Sequence, residues 1–372
     1  MTDPAELARL LMQAPVMGPL HPLQALCLPP ETEVLADAAA LAEELDDLAH
    51  HAVRPIWLTD VQPRMADRFL QADASTPPPL DVVNRALPGR LDYVRRRWLT
   101  HRTVADRIVA DAAQRCYRTV ALLLVDGLGY ADVADWPEPV QPCLVDGPSI
   151  TYYQEREGRR ILPEVGFPGI IGAPRLARRL IEVGLLHSRG FSYWSRETNA
   201  VSEYLFEGVP LTRVARFSEA VAALRSANLE CTYVQVVREG LDGLAHARRE
   251  VTPGEVRQAV QAIRADALAL LDVLREGPRP AALYLTADHG ILWKAEHTFE
   301  MLETNDRVHP RYGTHLPAGT EHATRFTFGE RTFYVYHWPY LGAAIRRNDS
   351  GVHGGLSVQE SIVPFIRWEI TE

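Results

Sequence analysis

Three continuous apolar runs place the strongest constraint on the fold of this chain. They are TVALLLVDGLG from residue 119, CTYVQVVREG from residue 231 and AALYLTADHG from residue 281. Apolar residues that follow one another without alternation are typical of strands buried on both faces of a sheet. Segments with helical periodicity lie around and between these runs, at 173–186, 218–229 and 252–277. The sequence therefore predicts an α/β fold, a three-layer α/β/α sandwich around a mostly parallel sheet.

Two later segments add to this prediction. RTFYVYHW at 331–338 is predicted as a fourth buried strand, and VQESIVPFIRWEI at 358–370 as a short helix or strand. The helix at 252–277 has a threonine, Thr252, in the N-cap position and a glycine, Gly277, at its end, which are common boundary residues.

The first 118 residues have a different pattern. Apolar residues recur at helical spacing in 4–13 and in 31–53, and prolines interrupt the pattern. The segment 90–115 resembles one long basic helix, which usually means a solvated helix face and less often a nucleic-acid or membrane contact. We predict a helical N-terminal region over 1–118 and a catalytic domain over 119–372. The N-terminal region is the expected site of any protein partner.

Composition and charge exclude several classes of protein. The net charge of −9 over 372 residues argues against a surface that binds nucleic acid throughout, while a local basic pocket stays open. The four cysteines show no C-x-x-C spacing, so neither a zinc knuckle nor a disulfide framework is indicated. No stretch of 18 apolar residues and no apolar leader is present, so we expect a cytoplasmic protein without a membrane partner.

Acidic residues and histidines cluster after the predicted strands. Asp126 ends the first run, Asp242 follows the second, and Asp288 and His289 end the third. Ligands of parallel sheets bind at the carboxyl ends of the strands. An aspartate in an Asp-Gly pair is usually only a turn. Several carboxylates and imidazoles at one sheet edge, however, are the donor set of divalent transition metals.

Two further motifs complete this set. Asp242 and His246 are four residues apart, so they lie on one face of a helical turn. His353 precedes two glycines in a segment where no strand or helix pattern requires a histidine. Each motif alone has an ordinary structural explanation, and it is their combination that indicates a metal site.

The order Asp, Thr, Asp-x-x-x-His, Asp-His, His resembles the alkaline phosphatase superfamily, in particular its nucleotide pyrophosphatase/phosphodiesterase and PglZ-domain branches. The segment HPRYG (309–313) adds to the likeness with PglZ domains. The likeness covers 119–372. It is carried by VDGLG (125–129), GPSIT (147–151), DGLAH (242–246), TADHG (286–290) and VHGG (352–355).

The resemblance implies an alkaline phosphatase-like fold and two divalent ions, with zinc favoured and manganese as the alternative. It implies that Asp242, His246 and His353 bind one ion. It implies that Asp126, Asp288 and His289 bind the other, with Thr151 as a further ligand and as the catalytic nucleophile. Thr151 completes a Pro-x-x-Thr spacing, and Ser149 is the competing nucleophile.

The activity implied by the resemblance is hydrolysis of a phosphodiester or phosphoanhydride in a small, nucleotide-like substrate through a phospho-threonine intermediate. One alternative is a phosphomonoesterase or phosphomutase on the same scaffold. Another is a PglZ-like partner or scaffold protein of a multi-protein system with a weakly active metal site. Residues 293–330 hold several histidines and are predicted to form a cap insertion, but the sequence assigns no substrate-binding residue.

Overall fold

The computed structural model describes most of the chain after residue 76 and four short segments before it. These are 16–17, 21–27, 33–35, 56–58 and 77–371, with gaps at 150–151, 156–157, 162–163, 173–174, 194–204, 248, 305–308 and 319. The chain forms two compact units, Met1–Arg97 and Trp98–Glu372. No helix within the described residues is long and apolar enough to cross a membrane.

The described part of the first unit contains a small parallel sheet and two helices. The strands β1 (Val16–Met17), β2 (Glu33–Leu35) and β3 (Ile56–Leu58) pair in the order β1-β3-β2, and α1 (Pro22–Leu26) contacts α2 (Leu80–Arg97).

The predicted N-terminal helices are tested only in part. The prediction for 31–53 is wrong at Glu33–Leu35, because pairing with Ile56–Leu58 overrides the weak helical preference. The rest of 31–53 and the helix predicted at 4–13 lie outside the described residues.

The basic segment 90–115 forms two helices, so the prediction of one long helix is wrong. The first, α2, ends at Arg97, and the second, α3, spans His101–Arg115. Between them Leu99–Thr100 form β4, which pairs with Cys143 and Leu144 in the large sheet of the second unit. The backbone N–H of Thr100 also donates to the hydroxyl of Thr103, 2.9 Å away, which starts a new helix.

The second unit is built on an eight-stranded, mostly parallel sheet, as predicted. The strands are β5 (Thr119–Asp126), β6 (Val140–Leu144), β9 (His187–Tyr193), β10 (Leu211–Arg213), β11 (Thr232–Glu239), β12 (Ala281–Ala287) and β20 (Ile362–Ile370), with β4 at the edge. The sheet order is β10-β9-β11-β5-β12-β20-β6-β4. Only the last strand of the chain, β20, is antiparallel to its two neighbours.

Two groups of helices flank the sheet. In one, α3 contacts α4 (Gly166–Ile171) and α5 (Leu176–Glu182); in the other, α6 (Phe217–Arg225) contacts α8 (Pro253–Glu276). A further short helix, α7, spans Asp242–Ala245. Every residue of β5 and of β12 is buried, which requires cover on both faces of the sheet. The α/β sandwich predicted from the apolar runs is therefore confirmed.

The fourth strand predicted at 331–338 is present, but it lies outside the main sheet. Arg331–Tyr336 (β17) pairs instead with Ala323–Phe328 (β16) and Tyr312–Gly313 (β15) in a separate antiparallel sheet. Three of its six residues are only half-buried, unlike those of a strand covered on both faces. The place beside β12 is taken by β20, from the terminal segment whose structure was left open between helix and strand.

Short elements complete the unit. They are the strands β7 (Tyr152–Glu155), β8 (Gly158–Ile161), β13 (Leu292–Trp293), β14 (Glu300–Met301), β18 (Tyr340–Leu341) and β19 (Gly351–Val352), the helix α9 (Val358–Ser361), and the 3-10 turns Tyr130–Val133, Lys294–Glu296 and Thr320–His322.

The compact unit begins earlier than the domain boundary predicted between 118 and 119, because α3 belongs to it. The buried ring of His101, the first residue of α3, contacts the carbonyl of Ala287 through Nε2 at 3.1 Å. Ala287 immediately precedes Asp288. A residue from the predicted N-terminal region thus fixes the end of β12.

The ends of three central strands meet at one edge of the sheet. Asp126 of β5 is the register partner of Glu239 in β11, and Val125 of β5 is the register partner of Ala287 in β12. The segments that follow are tied together by backbone hydrogen bonds. Leu128 donates to the carbonyl of His289 at 2.7 Å and Leu241 to the carbonyl of Gly127 at 2.8 Å.

Candidate metal centre

The turn after β5 brings the first aspartate next to the other motifs. Gly127 has φ +79°, and a side chain there would lie 2.8 Å from the backbone nitrogen of Asp242. Only glycine combines this conformation with so close an approach. The backbone N–H of Gly127 donates to Oδ1 of Asp288 at 3.1 Å. The Asp-Gly pair thus joins all three strand ends.

The first group of candidate ligands consists of Asp242, His246 and His353. Nε2 of His246 lies 3.3 Å from Oδ1 of Asp242, and Nε2 of His353 lies 3.5 Å from the same oxygen. The ligand atoms of all three lie within 4.8 Å of one another. The structure therefore brings together the three residues that the resemblance gave to one ion.

The second group consists of Asp126, Asp242 and His289, whose ligand atoms also lie within 4.8 Å of one another. Nε2 of His289 is 3.7 Å from Oδ1 of Asp126 and 3.6 Å from Oδ2 of Asp288. Asp288 therefore lies beside this group, as expected. The resemblance did not imply that Asp242 takes part in both groups, which makes it the carboxylate between them.

The two groups are in direct contact through their histidines. The rings of His289 and His353 stack with centroids 3.8 Å apart and an interplanar angle of 8°. His289 and Asp288 are almost fully buried, at 4% and 1% exposure. Burial raises the pKa of Asp288 to about 7, so a cation that binds here displaces a proton.

A histidine nitrogen can bind a cation only if it carries no proton, so the protonation of His353 and His289 shows whether this site suits a metal ion. Burial and the nearby His289 lower the pKa of His353 to about 4, so its ring is neutral. Its Nδ1 lies 2.9 Å from the carbonyl oxygen of Ser149, which can only accept, so Nδ1 carries the proton. Nε2 therefore presents a lone pair to Oδ1 of Asp242.

The same reasoning applies to His289, whose pKa is lowered by burial and whose Nδ1 lies 3.2 Å from the carbonyl oxygen of Gly290. Its Nε2 presents a lone pair to Asp126 and Asp288. Oδ1 of Asp242 is buried and accepts no hydrogen bond of good geometry from the described residues. Lone pairs that face one another repel unless a cation lies between them, so these donors fit divalent metal ions.

Asp349 is a candidate functional residue that the sequence did not reveal. Its Oδ2 lies 3.2 Å from Nδ1 of His246. The pKa of His246 is raised, mainly by its hydrogen bond with Asp242 and further by the charge of Asp349. A carboxylate on the far nitrogen of a metal-binding histidine fixes the ring and leaves the other nitrogen for the metal. Backbone donation from Ser350 to Ala245 at 2.8 Å holds the Asp349 segment against α7.

Ser149, the competing nucleophile, is 2% exposed and lies against His353. Its hydroxyl is 3.2 Å from Nδ1 of His353, the nitrogen that also reaches its carbonyl oxygen. Ser149 is thus positioned to hold the histidine. Thr151, the predicted nucleophile and ligand, lies outside the described residues.

A buried ion pair supports the loop that carries His353. Arg311 forms a two-pronged contact with Glu360, Nε to Oε1 and Nη2 to Oε2, each at 2.8 Å, and neither side chain is exposed. Glu360 also accepts from the backbone N–H of Gly355 at 3.0 Å. Arg311 belongs to the HPRYG segment, so this motif acts on the loop of the VHGG motif. No sequence motif indicates Glu360 as its partner.

Replacing Glu360 with glutamine is expected to destabilise the protein by about 3 kcal/mol, because the Arg311 guanidinium stays buried without a counter-charge. Chemical denaturation measures the free energy of unfolding. The matched control is Asp272→Asn, whose partner Arg275 is 2.9 Å away on the exposed face of α8 and whose loss is expected to change stability by less than about 0.5 kcal/mol. Equal effects of the two variants would contradict a supporting role of the buried pair.

Comparisons with known proteins give matches only among solved structures. No family model matches the sequence, and no curated protein matches it. Murine ectonucleotide pyrophosphatase/phosphodiesterase 5 matches with 12% identity and a TM-score of 0.45, over 67% of this chain and 87% of that chain, as does its inactive variant in complex with AMP. The human counterpart matches at 12% identity and a TM-score of 0.42, with the same coverage. These structures carry the name of the nucleotide pyrophosphatase/phosphodiesterase branch that the motifs of this chain resemble.

Proposed function

We propose that this chain is a metal-dependent phosphoesterase that hydrolyses a phosphodiester or phosphoanhydride of a small, nucleotide-like substrate. The reaction uses two divalent ions, with zinc favoured, and passes through a phospho-threonine at Thr151. Asp242, His246 and His353 hold one ion, and Asp126, Asp288 and His289 hold the other.

One observation carries the proposal. Two groups of carboxylates and imidazoles lie side by side at the carboxyl edge of the sheet and have Asp242 in common. A structural metal site needs one closed set of four ligands. Two adjoining sets made of oxygen and nitrogen donors suit a pair of ions that act on one substrate.

When bound, such ions stabilise negative charge on phosphoryl oxygens and lower the pKa of a hydroxyl nearby. The residues of the chain supply the rest. Ser149 and Asp349 hold the rings of His353 and His246 in place. The Thr151 hydroxyl would lose its proton to solvent and form a bond to phosphorus, while the leaving oxygen departs with the electron pair of the broken bond. Water would then attack phosphorus, restore the threonine hydroxyl and release the phosphoryl product, which is a monoester when the substrate is a diester.

Ser149 is the weaker candidate for the nucleophile. Both its hydroxyl and its carbonyl oxygen are within hydrogen-bond distance of one nitrogen of His353. An attacking oxygen has to be free to approach phosphorus. Thr151 follows Ser149 by two residues and keeps the Pro-x-x-Thr spacing, which supports its assignment.

The proposal is tested by metal analysis and turnover of the purified chain. We expect about two equivalents of transition metal per chain. Chelation should remove them and abolish hydrolysis of bis(4-nitrophenyl) phosphate, and added zinc should restore it. Metal-supplemented protein that binds no metal would refute the proposal. Protein that binds metal but hydrolyses neither this diester nor 4-nitrophenyl phosphate would favour a partner protein with a structural site.

A further inference from the structure

A cavity of about 380 Å³ opens beside the first ligand group, and both His246 and His353 line it. Its volume falls in the range of small-molecule sites. Two of its lining residues are alanines, whose small side chains leave space next to the histidines. These alanines are Ala343 and Ala344, and His309 and Arg346 also line the cavity.

Arg346 gives this cavity a positive charge. Its side chain is exposed, and within the described parts of the chain no carboxylate lies within ion-pair distance of it. The acid that also lines the cavity, Asp349, is already engaged with Nδ1 of His246 at 3.2 Å. The arginine is therefore available to a ligand.

His309 adds a hydrogen-bond donor. Its Nδ1 accepts from the backbone N–H of Arg311 at 3.2 Å, and its ring stacks on Tyr312 with centroids 4.2 Å apart. A neutral ring whose Nδ1 accepts carries its proton on Nε2. Burial lowers the pKa of His309 well below its usual value, which agrees with a neutral ring. Two residues that line the cavity thus carry a guanidinium and an N–H group, which together suit an anion.

The position of the cavity decides which part of a substrate would enter it. In the proposed function Thr151 acts at the ion that Asp126, Asp288 and His289 hold. The attacking and leaving oxygens lie on opposite sides of phosphorus in an in-line displacement. The leaving oxygen then lies on the side of His246 and His353, where the cavity opens.

We propose that this cavity binds the leaving group of the substrate and that Arg346 selects leaving groups that carry their own negative charge, a phosphate or a carboxylate. The inference rests on the proposed function. As Thr151 forms its bond to phosphorus, the bond to the leaving oxygen breaks, and the departing group keeps the electron pair of that bond. The sequence alone assigned no cation to this role.

Three matched substrates test the selection. Methyl 4-nitrophenyl phosphate has a leaving group without a charged substituent. Its 3-carboxy analogue adds a carboxylate, and methyl diphosphate has phosphate as the leaving group. Arg346→Gln is expected to raise KM for one or both charged substrates roughly fivefold, because a charge-assisted contact is lost. KM for the uncharged substrate, and kcat for all three, should change less than about twofold.

The neighbouring arginine gives the matched control. Arg347 does not line this cavity, so Arg347→Gln should leave all three KM values unchanged, and Arg346→Lys should restore part of the loss. The charged substrate whose KM rises in Arg346→Gln shows whether the arginine prefers a carboxylate or a phosphate. Equal KM changes for all three substrates, or none for the charged ones, would overturn the selection.

A binding measurement separates this inference from the proposed function. Inorganic phosphate is titrated by calorimetry into zinc-loaded wild-type protein and into both variants. Weaker binding to Arg346→Gln than to Arg347→Gln supports an anion site, even if the wild-type protein hydrolyses none of the esters and the proposed function fails. Equal binding by the two variants would overturn the site.

Discussion

Asp242→Asn is expected to lower metal content from about two equivalents to less than one, because this carboxylate holds the first ion and also lies among the ligand atoms around the second. Its Oδ1 lies 3.3 Å from Nε2 of His246 and 3.5 Å from Nε2 of His353. An amide is a poorer metal ligand than a carboxylate, since it brings no negative charge. We expect turnover to fall by two or more orders of magnitude, as several kcal/mol of charge stabilisation are lost.

Two further variants make this prediction specific. Asp349→Asn changes only the carboxylate that contacts Nδ1 of His246. It should therefore lower the affinity for the ion bound by His246 by about tenfold and leave the affinity for the other ion unchanged. Asp272→Asn, on the exposed face of α8, should change neither. Unfolding of Asp242→Asn in the presence of chelator should match that of the wild-type protein under the same conditions. Retention of two tightly bound equivalents in Asp242→Asn would refute the shared carboxylate.

The core of the fold could be predicted because its signal is local. The apolar runs at 119, 231 and 281 became β5, β11 and β12, since a strand covered on both faces has to be apolar throughout. The strand β9 (HSRGFSY) was missed because four of its seven residues are half-buried or exposed, so it shows no continuous apolar run. The pairing of β20 beside β12 joins distant segments, and no local pattern encodes it.

In the candidate site, too, the features with a local sequence signal were predicted and those that depend on contacts between distant residues were missed. Motif spacing predicted that Asp242 and His246 lie together, because they are on one helical turn, and the family resemblance added His353. Asp349 was missed because it lies in a loop, where no periodicity indicates which way a side chain points. The sharing of Asp242 between both groups was missed for a related reason. Sequence order tells which donors come near one another, but the distance between their atoms depends on side-chain packing.

The nucleophile is the part of the proposal that the described residues constrain least, so its variants carry the most information. Thr151→Ala removes the proposed attacking oxygen and leaves all six other predicted ligands in the chain. We expect metal content to stay near that of the wild-type protein. Turnover should fall by several orders of magnitude, because direct attack by water replaces covalent catalysis.

Ser149→Ala is the matched variant, two residues away, and it is expected to lower turnover far less. It removes the hydroxyl 3.2 Å from Nδ1 of His353 but leaves the carbonyl oxygen that lies 2.9 Å from the same nitrogen. His353 therefore keeps an acceptor for its proton and keeps Nε2 directed at Asp242. Acid quenching during turnover of a radiolabelled diester should trap labelled phosphate on the wild-type protein and on Ser149→Ala, but not on Thr151→Ala. Label that persists in Thr151→Ala and disappears in Ser149→Ala would make serine the nucleophile, and a phosphomonoesterase or phosphomutase would then explain the site better.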